Sequence, residues 1–208
     1  MEKTVRPMTR FLFAQDQSLP AYDAALCEYI YATNGLFRRA KRPGLEAVIP
    51  AAPPTRLVTR VEPYVRLNAP RVPIHLVQAM LDQAQQQCIA RGEFVEVLFY
   101  LCRNEVQGWV LHTPPQEQTI TSVYATDTRA ESAYVNAVIE VHSHHWMEAR
   151  FSSDDDRDEV GFRIYSVLGR IFDRPEIKMR VSVYGDWWEL PASAVFDLPP
   201  GVRERYGE

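Results

Sequence analysis

Two histidines and an aspartate lie close together in the sequence and can form a metal site. His142 and His144 are separated by one residue and follow an apolar run that is typical of a strand. Because side chains two positions apart project from the same face of a strand, both imidazoles point the same way. Asp155 follows at the start of an acidic segment in which Ser152 or Ser153 is a natural helix N-cap. Two imidazoles and a carboxylate suit a tetrahedral Zn²⁺ with one position left for water, so the pattern predicts a catalytic zinc site.

The spacing of these residues resembles the signature of the JAB/JAMM (MPN) zinc metalloproteases. That signature reads His-[Ser/Thr]-His-Pro and then, after seven residues counted from the second histidine, Ser-x-x-Asp. In this chain His142 and His144 are followed at that spacing by Ser152 and Asp155. The resemblance implies that His142, His144 and Asp155 hold the zinc and that Ser152 helps to stabilise the oxyanion.

The resemblance covers roughly residues 70 to 195, and one position departs from the family pattern. His145 stands where the family has proline. An adjacent residue on a strand points to the opposite face, so we expect His145 to belong to the following loop and not to the metal.

The family also requires an upstream glutamate as general base, and the sequence offers two. The family register favours Glu93. Glu96, however, is flanked by Val95 and Val97 in an apolar run, where a carboxylate is costly without a partner. Partial burial also raises the basicity that a general base needs near neutral pH. We therefore expect Glu96 to be the base, with Glu93 as the alternative.

Composition and charge exclude several other classes of protein. The net charge of −4 and the scattered basic residues give no reason to expect nucleic acid as a partner, and no apolar run is long enough to span a membrane. The first residues lack the apolar core of a signal peptide. Cys27, Cys88 and Cys102 form no Cys-x-x-Cys pair, which fits a reducing compartment. We expect a cytoplasmic protein.

Proline content and hydrophobic patterning divide the chain near residue 68. Residues 1–68 are expected to form a small β-rich module with a hairpin around Asn34 and Gly35. An Asn-Gly pair favours a type I′ turn, because both residues tolerate the positive φ that this turn requires. Because its aromatic residues need burial, the module is expected to be ordered. It either contributes affinity for the substrate or completes the core of the metalloprotease domain. Residues 69–208 are expected to form the metalloprotease domain.

The pattern of the second part predicts a mixed α/β fold, with a JAB/MPN-like mixed sheet flanked by two helices. Helical spacing of apolar residues predicts helices over 74–90 and 160–171. Strands are predicted at 94–102, 108–112 and 119–124, and in the segment that runs into the histidines. A last hairpin is predicted from 177–184 and 187–190, around Gly185 and Asp186.

The resemblance implies hydrolysis of a peptide or isopeptide bond, typically at the C-terminal tail of ubiquitin or a ubiquitin-like protein. The chain is similar in particular to bacterial JAB proteins encoded beside ubiquitin-like, E2-like and E1-like proteins in PRTRC-type and Bil-type operons. The runs Glu-Val-Leu-Phe-Tyr-Leu and Ile-Glu-Val-His-Ser-His-His carry that similarity. Its implied partners are a ubiquitin-like protein or its conjugates and the E1-like and E2-like proteins. Two alternatives use the same residues or fold: a JAB hydrolase acting on a sulfur-carrier protein, and a non-catalytic MPN-type scaffold.

Overall fold

A computed structural model describes residues 6–14, 18–52, 61–129 and 132–207. The chain divides into two compact units. The first consists of Met1–Asn68, Val160–Phe162 and Val181–Trp188, and the second of Ala69–Glu159, Arg163–Arg180 and Glu189–Glu208. Strands in several sheets and few helices make the fold mixed α/β. None of the helices in the described ranges combines the length and the apolar character needed to cross a membrane.

A five-stranded sheet forms the body of the first unit. Its strands, in the order in which they lie across the sheet, are β1 (Thr9–Phe13), β2 (Cys27–Ala32), β3 (Gly35–Arg42), β4 (Leu45–Ala52) and β5 (Tyr64–Leu67). β1 runs parallel to β2, and the other neighbours are antiparallel. Apolar side chains such as Ile30, Phe37 and Val48 are buried together and form the core of this unit.

The predicted hairpin of this unit is present, but its turn is not of the predicted type. Ala32 pairs with Gly35, so the turn residues are Thr33 and Asn34. Neither has the positive φ that a type I′ turn requires, and the prediction of that turn at Asn34 and Gly35 is therefore wrong. The Asn34 side chain instead binds the backbone of Val61, donating to its carbonyl at 2.5 Å and accepting from its N–H at 2.6 Å.

The second unit contains most of a seven-stranded sheet and a small separate hairpin. The remaining strands are β6 (Leu98–Asn104), β7 (Gly108–His112), β8 (Gln116–Gln118), β9 (Val123–Ala125), β10 (Ala137–Ser143), β11 (Arg163–Gly169), β12 (Glu176–Val183), β13 (Asp186–Glu189) and β14 (Arg203–Arg205). The order across the large sheet is β13-β12-β11-β10-β6-β7, with β14 beside β12. The central neighbours β10 and β11 are parallel, whereas β10 and β6 are antiparallel.

Three helices accompany these strands in the described part of the second unit: α1 (Ile74–Arg91), α2 (Ala133–Asn136) and α3 (Ser153–Asp158). The predicted first helix is confirmed as α1. It starts directly after Pro73, where the missing N–H costs nothing, and ends at Gly92, which has a left-handed φ of 68°. Its apolar stripe, from Val77 to Cys88, is buried.

The predicted second helix, over 160–171, is wrong. Residues 163–169 form strand β11, and the helix that precedes this strand, α3, has six residues and ends at Asp158. Every residue of β11 is buried, because the strand lies in the middle of the sheet. A strand that is covered on both faces is a continuous apolar run without the alternation of apolar and polar residues that marks a half-exposed strand. Such a run also contains apolar residues at helical spacing, so its pattern does not distinguish a strand from a helix.

Two other strand predictions differ from the structure. The strand predicted at 94–102 begins only at Leu98, because the backbone before it bonds elsewhere: Glu96 N–H donates to Thr119 and Val97 N–H donates to the Ser143 hydroxyl. The segment predicted as one strand over 119–124 is instead the turn and second strand of the β8–β9 hairpin. The last hairpin is formed by β12 and β13, with positive φ at both turn residues, Tyr184 and Gly185.

Candidate functional site

An open cleft of about 540 Å³ lies in the second unit. Strands β6 and β10, the β8–β9 hairpin and helix α3 all contribute to its walls. Every residue predicted as a metal ligand lines it, as do Ser152 and Glu96. Glu93 does not line it. The structure therefore brings together all the predicted site residues except the alternative base.

The end of β10 carries the two histidines. His142 belongs to the strand, and His144 lies just beyond it, where its N–H donates to the Leu168 carbonyl at 2.6 Å. The two rings face each other, with Nε2 of His142 3.3 Å from Nε2 of His144. Both residues are buried, with 7% and 8% exposure respectively. Burial lowers the pKa of His142 to about 4 and lowers the pKa of His144 as well. Both rings are thus held neutral, the form that binds a metal.

Helix α3 brings Asp155 to the histidines. Ser152 caps the helix: its hydroxyl accepts from the Asp155 N–H at 3.2 Å, and its own N–H donates to Asp155 Oδ2 at 2.6 Å. This capping box occupies Oδ2 and turns Oδ1 toward the cleft, where it lies 3.6 Å from His142 Nε2. The serine and the aspartate in the predicted motif are therefore coupled by the N-terminal geometry of one short helix.

The two separations measured from His142 Nε2 match edges of a metal tetrahedron. Tetrahedral bonds of about 2.0–2.2 Å to nitrogen or oxygen place neighbouring ligand atoms about 3.3–3.6 Å apart. The His142–His144 and His142–Asp155 separations are 3.3 Å and 3.6 Å. Two neutral imidazoles and a carboxylate at this spacing fit a zinc-sized ion.

A further carboxylate, that of Glu159, also reaches His142. Its Oε1 lies 3.9 Å from Nδ1 of His142, and one ligand atom from each of His142, Asp155 and Glu159 lies within 4.8 Å of the others. This buried group can hold a metal ion. Burial raises the pKa of Glu159 to about 9, although Arg180 beside it acts in the opposite direction. Sequence reasoning missed Glu159, and the available signal was its position four residues after Asp155, on the same side of a helix.

His144 is oriented through its other ring nitrogen. Nδ1 of His144 lies 2.8 Å from the carbonyl oxygen of Glu148, to which it donates in the tautomer that leaves Nε2 unprotonated. His145, in contrast, uses both nitrogens away from the cleft. Its Nε2 lies 2.9 Å from the Ile120 carbonyl, and its Nδ1 accepts from the Trp146 N–H. The expectation that His145 belongs to the loop agrees with these contacts.

Glu96 is the buried carboxylate beside the histidines. It is 4% exposed, and its Oε1 lies 3.6 Å from His144 Nε2. Burial, together with the nearby charge of Asp155, raises its pKa to about 8. Glu93 is exposed. The position and basicity of Glu96 therefore fit a group that exchanges protons near neutral pH.

The loop between His144 and Ser152 rests on the end of β11. A Cβ atom on Gly169 would lie 2.1 Å from the backbone nitrogen of Ala149, so only glycine allows this approach. Met147 accepts a hydrogen bond from the Arg170 N–H at 2.7 Å. The loop that orients His144 is thus fixed by backbone contacts.

No protein-family model and no curated protein matches this chain. The chemistry of the cleft must accordingly be inferred from its own residues.

Proposed function

We propose that this chain is a zinc-dependent peptidase or isopeptidase with a JAB/JAMM-type fold and site, and that it acts on the C-terminal tail of a ubiquitin-like protein. One observation carries the proposal. Nε2 of His142 lies 3.3 Å from Nε2 of His144 and 3.6 Å from Oδ1 of Asp155, beside the buried carboxylate of Glu96. This is a three-ligand site with a proton-accepting group next to it, as a hydrolytic zinc site requires.

Several residues of the cleft have separate roles in the proposed hydrolysis. When bound, zinc supplies Lewis acidity, which polarises a carbonyl group and makes water acidic enough to react near neutral pH. Glu96 accepts a proton from that water at its carboxylate and returns it to the leaving amine. Asp155 and the two histidines hold the metal, and Ser152 donates to the developing oxyanion once its hydroxyl rotates away from Asp155. The alternative base, Glu93, would have to enter the cleft to take the role of Glu96.

The cleft favours a substrate segment without acidic side chains. Six of its lining residues are acidic: Glu96, Glu140, Asp154, Asp155, Asp158 and Glu159. No lysine or arginine is among the lining residues that the structure describes. Leu98, Tyr100 and Val123 provide apolar surface in the same cleft. An extended tail with small, apolar or basic residues would be complementary to such a surface.

The partners follow from this assignment. A ubiquitin-like protein or its conjugates would be the substrate, and E1-like and E2-like proteins would supply the conjugates in the cytoplasm. Within this proposal the first unit contributes substrate affinity. Its sheet carries exposed aromatic residues, Phe11 and Phe13, stacked on Tyr29 and Tyr31 at ring-centroid distances of 5.2 Å.

The test uses the full chain, metal analysis and defined probes. Purified protein is expected to carry one equivalent of zinc and to cleave either a linear fusion of ubiquitin to a short peptide or an isopeptide-linked ubiquitin–lysine conjugate. Substituting His142, His144 or Asp155 by alanine should remove both the zinc and the cleavage. His145→Ala is the matched control and should keep the zinc, because its ring is bonded away from the cleft.

Three results would decide against the proposal. Stoichiometric zinc in a His142→Ala/His144→Ala double variant would refute the ligand set. Zinc-loaded protein that binds the probes without cleaving them would support the scaffold alternative. Cleavage confined to a carrier protein whose C-terminal glycine bears a cysteine would support the sulfur-carrier alternative.

A further inference from the structure

A buried carboxylate that the proposed reaction does not use lies behind His142. Glu159 follows α3 directly and is 5% exposed. Its Oε1 is 3.9 Å from Nδ1 of His142, whereas the Nε2 atom of the same ring faces His144 and Asp155. Glu159 therefore approaches His142 from the ring nitrogen that does not face the other ligands.

His144 shows the same division between its ring nitrogens. Its Nε2 faces His142, and its Nδ1 is hydrogen-bonded to the Glu148 carbonyl at 2.8 Å. Such an acceptor fixes both the tautomer and the ring orientation of a metal-binding histidine. Glu159 offers His142 a carboxylate oxygen on the corresponding side.

Arg180 holds Glu159 in this position. Its Nε donates to Glu159 Oε2 at 2.8 Å, and its Nη1 donates to Asp156 Oδ1 at 2.5 Å. The guanidinium lies 4.0 Å from the ring centroid of Phe151 and is buried with the carboxylate. Because Oε2 is bound by Arg180, the other oxygen of Glu159 is turned toward His142. Strand β12 thereby fixes the position of a group that adjoins the metal ligands.

We infer that Glu159 is a positioning residue for His142: with a metal on Nε2, the 3.9 Å separation closes to hydrogen-bond distance, the Nδ1–H of His142 donates to Glu159 Oε1, and Arg180 holds that carboxylate beside the ring. The inference rests on the proposed metal site but not on the reaction or the substrate. It also assigns Glu159 a role other than direct ligation, although its carboxylate lies close enough to serve as a ligand.

The experiment compares Glu159→Gln with wild type by metal affinity, Co²⁺ absorption and imidazole ¹⁵N NMR. A positioning role predicts that the variant still binds one equivalent, with a Kd about 10- to 100-fold weaker. The Co²⁺ d–d bands should keep their wild-type positions because the ligand set is unchanged. The ¹⁵N signals of His142 should change from one tautomer in the wild type to a mixture in the variant.

Two further variants make the result specific. Glu46→Gln also removes a buried carboxylate paired with an arginine, Arg39, but in the first unit, and should leave the metal Kd unchanged. Arg180→Lys keeps Glu159 and should weaken metal binding by a smaller factor. It replaces Glu159→Gln as the test if that variant does not fold.

The outcomes separate this inference from the proposed function. The positioning role is overturned if Glu159→Gln binds the metal with an unchanged Kd. If that variant does not fold, an unchanged metal Kd in Arg180→Lys overturns it. Altered Co²⁺ bands, or metal loss as complete as in His142→Ala, would make Glu159 a ligand instead. If wild-type protein binds no metal, the proposed function fails. The NMR comparison of metal-free protein then still decides whether Glu159 sets the tautomer of His142.

Discussion

Glu96 Oε1 and His144 Nε2 lie 3.6 Å apart, although one residue precedes β6 and the other follows β10. The antiparallel pairing of these two strands creates the proximity, since His142 pairs with Leu98. The carboxylate and the proposed metal ligands thus meet through the register of the central sheet. Their relationship leads to the first two predictions.

Glu96→Gln should keep its metal and lose turnover. The substitution preserves the shape of the side chain and removes its ability to accept a proton, so kcat should fall by about 10²- to 10⁴-fold. Metal analysis and steady-state cleavage of the ubiquitin–peptide fusion measure the two effects. Glu93→Gln is the control and should behave like wild type. If instead Glu93→Gln loses turnover and Glu96→Gln keeps it, Glu93 is the base, as the family register indicates, and the argument from burial is wrong.

The stability of metal-free protein should fall as the pH rises from 6.5 to 8. Burial raises the pKa of Glu96 to about 8, whereas an unfolded glutamate titrates near 4.5. Between these values the folded state binds more protons than the unfolded state, so the free energy of unfolding decreases with pH.

Chemical denaturation in the presence of a chelator measures this slope. Glu96→Gln should reduce it by at most about 1.4 kcal/mol per pH unit, the contribution of one proton. The exposed Glu93→Gln should retain the wild-type slope. Because the folded-state pKa of His142 is lowered to about 4 while unfolded histidines titrate near 6.5, the histidines contribute a slope of opposite sign that fades as the pH rises above 6.5. A flat profile in the wild type would contradict the prediction.

Two substitutions of Ser152 should separate its capping role from its role in the reaction. The hydroxyl caps α3 and donates to Asp155 Oδ2 at 2.7 Å. Alanine removes the cap and should cost about 1 kcal/mol of stability, whereas glycine is tolerated at an N-cap with a loss of only a few tenths. Both remove the hydroxyl, so kcat at saturating zinc should fall in both, by about 10²-fold. A glycine variant with wild-type kcat would leave Ser152 a capping residue only.

Gly169→Ala should destabilise the protein and weaken metal binding together. The new methyl group would meet the backbone of Glu148 and Ala149, which has no rotamer by which to move aside. Such overpacking costs about 1–3 kcal/mol, and the displaced segment includes the carbonyl that orients His144. Gly92→Ala is the contrast, because a Cβ there meets no atom within 4 Å but takes a strained φ of 68°. Gly92→Ala should therefore lose stability in a thermal melt without changing the metal Kd.

Local patterns in the sequence predicted the residues of the candidate site better than the elements around it. The ligand motif spans few residues, and its geometry depends on one strand end and one helix N-cap, both of which have local signals. Glu96 was recognisable because an acidic residue among valines is unusual. Glu159 was missed, since its position four residues after Asp155 is the one local signal and its neighbour Arg180 comes from a distant strand.

The two wrong predictions about the fold have a common physical origin. Strand β11 is buried on both faces, so its residues carry no alternation that would separate a strand from a helix. The turn at Thr33 and Asn34 depends on a bond to Val61, far along the chain, which overrides the preference of Asn-Gly for a type I′ turn. In both places a tertiary interaction decides the local conformation.

The first unit is built from segments that are far apart in the sequence, and this affects when it can fold during synthesis. Arg38 in β3 donates to the carbonyls of Val183 and Tyr184 and pairs with Asp186 at 2.9 Å. These partners belong to the first unit but are translated long after its sheet. A nascent chain that has emerged only as far as residue 68 therefore lacks the Val183, Tyr184 and Asp186 groups that pair with Arg38. Vectorial folding from the N-terminus cannot complete this unit, and the ribosome must deliver residue 186 first.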